Sequence, residues 1–176
     1  MFEFCQQKID GFHFRLCQLV SWFTLVMVLL TFAIVLLRYG FNLGWIAMQE
    51  SVMYLHAAVF LLGAAHTLKV NEHVRVDIFY RQMSEKKQLL VDTFGTLFLL
   101  MPVNTFILIL SFDYVMNAWQ LLESSPQAGG LPLVFLLKTF ILAFAISMNL
   151  QGVAELIRNI LKLKTLSGSH SQQGDL

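Results

Sequence analysis

Residues 16–37, LCQLVSWFTLVMVLLTFAIVLL, run for 22 positions without a charged side chain and stop at Arg38. A hydrocarbon core of ~30 Å needs ~20 such residues in a helix, the form in which one segment satisfies its own backbone in lipid. A cleavable signal peptide would have a shorter apolar core and a small-residue cleavage site. This run has no Ala-x-Ala pattern, so it is expected to remain as a membrane anchor.

Three further apolar runs, at about 45–68, 88–116 and 132–160, have the same capacity. With 57% hydrophobic and 13% charged residues and a mean hydropathy of +0.66, the chain is too apolar for a soluble domain of this size. The fold expected is an all-α integral membrane protein with four transmembrane helices. The net charge of +1, with no basic stripe, excludes a nucleic-acid partner, which requires many phosphates to be neutralised. Cys5 and Cys17 form neither a disulfide framework nor a metal spacing.

Three segments follow from this. Residues 1–15 place Phe2, Cys5, Ile9 and Phe12 at steps of three and four between polar positions, the pattern of an amphipathic helix lying at the membrane interface. Residues 16–162 form the four-helix transmembrane domain. Residues 163–176, ending SGSHSQQGDL, read as a disordered tail. Ser84 suits the N-cap of the third helix, and Pro102 inside that helix is expected to kink it. The segment 117–130 is a loop by composition, and Pro132 suits the first turn of the fourth helix.

Ten of the twelve basic residues fall before helix one, between helices two and three, or at the end of helix four. Arg38 and Lys138 are the other two. The positive-inside rule therefore puts both termini in the cytoplasm, with Trp45 and Trp119 in the outer aromatic belt.

The polar residues inside the apolar runs are the functional candidates, because charge in lipid is costly. His56 and His66 lie on one helix about 15 Å apart, too far to share a metal, and no other helix core carries a histidine to complete a haem pair. No metal, cofactor or catalytic residue is assigned, since the sequence has no nucleophile elbow, His-Glu-x-x-His or phosphate-cradling glycine loop. His73 and Asp77, four apart, read as a surface pair. Glu50 and Lys138 each start ~8 to 9 Å inside the outer boundary, which makes them candidates for a cross-helix pair, with Arg38 and Asp113 close by. Helix two places Tyr54 and Ala65 on one face and His56 and Gly63 on the other, so contact on both sides is expected, from its own bundle and from a partner.

The stretch Arg38-Tyr39-x-Phe41-Asn42, Trp45, Glu50, Leu62-Gly63-Ala64-Ala65 and Glu72-His73-Val74-Arg75-Val76-Asp77 resembles the small membrane subunit, the DctQ-like or Q subunit, of tripartite ATP-independent periplasmic (TRAP) transporters. Members often carry paired acids after the tryptophan, whereas here Gln49 precedes Glu50. The resemblance implies a non-catalytic scaffold subunit of a sodium-coupled secondary transporter for organic acids in a bacterial inner membrane. Its implied partners are a large membrane subunit that moves its transport domain like an elevator, a periplasmic substrate-binding protein, and membrane lipids. The outer loops around Asn42, Trp45 and residues 117–130 would then help to dock the binding protein. A membrane anchor of a respiratory or other enzyme complex is the alternative, and haem or quinone binding would distinguish it.

Overall fold

In a computed structural model, which describes residues 2–70 and 80–172, the chain is helical without a strand among the described residues. Its four long helices are α1 (Phe2–Gly40), α2 (Ile46–Lys69), α3 (Glu85–Gln120) and α4 (Val134–Gln172), each long and apolar enough to cross a membrane. They alternate in direction. The start of α1 and the ends of α2 and α4 meet at one end of the bundle, and the loops 41–45 and 121–133 lie at the other.

Helix α4 is the hub. It packs against each of the other three and is the most buried of the four. Leu142, Ala145, Met148, Gln151 and Ala154 are buried at steps of three, one stripe of the helix, while α1 and α3 keep most of their apolar side chains outside. In lipid such exposure is solvation rather than a defect, because hydrocarbon is the surrounding solvent.

Two expectations change in the structure. The sequence pattern predicts a separate interfacial helix over residues 1–15, but from Phe2 onward they are continuous with the first apolar run in a single 39-residue helix. Asp10 and His13 are held on α4 by Arg158 and Gln151, so the early turns pack along the bundle. The tail, read as disordered from 163, continues α4 as helix to Gln172.

Pro102 does not break α3. A proline removes one N–H and crowds the carbonyl four residues earlier. The helix meets this with one π turn, Thr96–Leu100, which ends two residues before the proline, and the Asn104 amide donates to the Leu100 carbonyl at 2.8 Å. Gly152 of α4 faces this turn. A Cβ there would stand 3.0 Å from Leu100 Cδ2 and 3.2 Å from Met101 Cγ, so the glycine lets α3 and α4 approach closely. Ser84 stands at the expected cap position in extended backbone, although its hydroxyl makes no capping bond.

Candidate functional site

The loop end gathers several of the residues singled out by sequence. Glu50 lies one turn inside α2, and its carboxylate accepts the Ser125 hydroxyl and the Leu131 N–H, the latter at 2.6 Å. Lys138 lies one turn inside α4 and bonds Glu123 at 2.5 Å, with its ammonium 3.8 Å from the centre of the Tyr114 ring. The cross-helix Glu50–Lys138 pair therefore does not form. Each lies one turn inside its helix, but the loop 121–133 folds back between the helix ends and supplies each with a nearer partner.

That loop is tightly folded. Ser125 N–H donates to the Leu131 carbonyl at 3.1 Å and Gly130 N–H to the Gln127 carbonyl at 3.0 Å. Gly129 adopts φ +79°, a region glycine enters without steric cost. A Cβ at Gly130 would collide with Ser125 and stand 2.8 Å from Glu50 Oε1. At the end of α3, Trp119 Nε1 donates to Thr139 Oγ1 at 2.8 Å and its ring meets Phe135 edge-on at 4.7 Å, fixing α3 to α4.

The remaining candidates stay apart from these two clamps. Arg38 is exposed in the last turn of α1, and Asp113 is exposed on α3; neither has a polar partner among the described residues. Asn42 turns the chain between α1 and α2 with φ +58°, which asparagine tolerates better than most residues. Trp45 precedes α2 in extended backbone with its ring exposed. His73 and Asp77 lie outside the described residues.

The opposite end holds a network that sequence reasoning missed. Asp10 of α1 accepts from Arg158 at 2.9 Å and from the Gln151 amide at 3.1 Å, and Lys69 of α2 approaches it at 3.9 Å. Arg158 also donates to Glu155 at 2.6 Å. The Gln151 NH2 faces two carboxylates, Asp10 and Glu155, so its oxygen faces His13, 2.7 Å from Nδ1. Nδ1 therefore donates this bond. Both His13 and Gln151 are fully buried. The depth comparison that paired Glu50 with Lys138 would have matched Asp10 with Arg158, had residues 1–15 been read as part of helix one.

Helix α2 buries Tyr54, Ala58 and Ala65 against the bundle. Its outward face carries Gln49, Met53, His56 and Phe60 exposed at steps of four, three and four, followed by Gly63. This is the sidedness read from the sequence at Tyr54, Ala65, His56 and Gly63. His56 stacks on Phe60 with ring centres 6.2 Å apart. Below it a groove of about 390 Å³ separates α1 from α2, lined by Cys17, Ser21, Thr24, Gly63, Ala64 and Thr67 among others.

No curated protein and no solved structure is a significant match to the chain. The sequence model described as "Tripartite ATP-independent periplasmic transporters, DctQ component" matches residues 27–162, more than three-quarters of the chain, and covers the loop-end clamps and the α2 face together. Four apolar helices and this match make the chain a multi-pass membrane protein belonging to the DctQ component family of tripartite ATP-independent periplasmic transporters.

Proposed function

We propose that the chain is the non-catalytic scaffold subunit of a sodium-coupled secondary transporter that imports organic acids delivered by a periplasmic binding protein. It sits beside a large membrane subunit in a bacterial inner membrane, with both termini in the cytoplasm. The observation that carries the reading is that polar clamps tie the bundle at both ends, Glu50 and Lys138 to the loop 121–133 and Asp10 to Arg158. Helices held at both ends keep one arrangement, which suits a fixed support for a moving neighbour. The basic residues concentrated at the end that carries the termini support the orientation. Sodium coupling and organic-acid cargo rest on the class of transporter to which the family belongs.

Reconstitution tests the reading. Liposomes containing this chain, its large membrane partner and the binding protein should take up an acid from a panel of dicarboxylates, keto acids, sialic acids and sulfonates when sodium is higher outside. Liposomes containing this chain alone should show none. Uptake by the isolated chain, or its failure to co-purify with the large subunit, would overturn the proposal.

A further inference from the structure

The exposed surfaces of the helices are not alike. Helix α1 turns Trp22, Leu25, Leu29 and Phe32 outward, and α3 turns out Phe94, Phe98, Phe106 and Ile109, all suited to acyl chains, with its exposed carboxylate, Asp113, seven residues from the end of the helix. Helix α2, beside Met53 and Phe60, exposes Gln49 and, midway along its length, His56. His56 lies ten residues into a 24-residue helix, about 15 Å from its start and so near the bilayer centre. Hydrocarbon offers an imidazole no hydrogen bond, and ionisable residues at that depth almost always face protein or a water-filled cavity.

Gly63 adds a low point to the same surface. An added Cβ there would meet nothing within 4 Å, as is also the case at Gly11 and Gly95, so the space over it is open to a neighbour. The groove beside it has a low, small-residue floor. The Ser21 and Thr24 hydroxyls are turned back to the Gln18 and Ser21 carbonyls at 2.8 and 2.6 Å. Such a surface lets a second helix backbone come close.

We propose that this face of α2, from Gln49 to Gly63, seats a transmembrane helix of the large membrane subunit. That helix approaches most closely over Gly63 and carries the hydrogen-bond partner of His56. The assignment rests on the scaffold reading above. The chain is one component of a tripartite system, which supplies a membrane partner other than a second copy. A lipid tail would fill the groove but leave His56 without a bond.

Photo-crosslinking in the assembled transporter tests it. Benzoylphenylalanine at position 60 should yield a covalent adduct with the large subunit, and the same probe at position 106 on α3 should not. His56→Leu combined with Gly63→Leu should lower co-purification of the large subunit at least tenfold, while Phe106→Ala leaves it unchanged. A large-subunit adduct from position 106 rather than 60, or a position-60 adduct joining two copies of this chain, would overturn the assignment. Failure of the unmodified chain to co-purify with the large subunit would count against the scaffold reading itself, so the two outcomes are separable.

Discussion

Asp10 and Arg158, separated by 148 positions in the chain, meet at 2.9 Å and close the bundle at the end where α1 starts and α2 finishes. Both side chains are largely shielded, and Glu155 shares the guanidinium. Asp10→Leu leaves Lys69 and the Gln151 amide short of an acceptor and should destabilise the protein by about 1–3 kcal/mol. Asp10→Asn, which keeps one acceptor oxygen, should cost less. Thermal unfolding in detergent reads the order, and equal losses for the two variants would contradict the network.

The loop 121–133 depends on the Glu50 carboxylate receiving two donors at once, the Ser125 hydroxyl and the Leu131 N–H. Glu50→Gln keeps an acceptor for one of them, whereas Glu50→Leu keeps none, so the leucine variant should lose about 1–3 kcal/mol more. Gly130→Ala should mimic the loss, because its methyl collides with Ser125 and crowds Glu50. Limited proteolysis within the loop is the direct readout, with cleavage accelerated in Glu50→Leu and Gly130→Ala and nearly normal in Glu50→Gln.

Lys138 and Glu123 respond unequally because their surroundings differ. The lysine side chain is 14% exposed and the glutamate 38%. Glu123→Ala strands a shielded ammonium over the Tyr114 ring, whereas Lys138→Met leaves a carboxylate that water already reaches. Glu123→Ala should therefore be the more destabilising of the two. In double-mutant cycles the coupling between Glu123 and Lys138 should exceed that between Glu50 and Lys138.

These clamps show where sequence reading succeeds and where it stops. Four helices long and apolar enough to cross, the turn at Asn42 and the two faces of α2 were legible because period and length report directly on which side chains suit lipid. The matching positions of Glu50 and Lys138, each one turn inside its helix, were legible for the same reason. Their partners were not, because a loop of 13 residues can fold back to Ser125, Glu123 and the Leu131 N–H by turns that hydropathy does not encode. The Asp10 network was hidden by treating residues 1–15 as a separate helix, although nothing at Arg15 or Leu16 interrupts helical geometry. The π turn lay one step beyond the proline rule, which marks the strain at Pro102 but not how the helix absorbs it.

The approach of α3 to α4 at that turn gives a graded prediction. A Cβ on Gly152 stands 3.0 Å from Leu100 Cδ2, 3.2 Å from Met101 Cγ and 3.6 Å from Thr96 Cγ2. Leu100 Cδ2 is the free end of its side chain and Met101 Cγ belongs to an unbranched, flexible one, so both can yield by a few tenths of an ångström. Gly152→Ala also gains helix propensity, about 1 kcal/mol, so its net effect should be near zero. Gly152→Val adds two methyl groups where one barely fits and must push the helices apart, costing about 1–3 kcal/mol. Thermal unfolding in detergent should place alanine with the wild type and valine well below it. A valine variant as stable as the wild type would mean that α3 and α4 are not held together at the π turn.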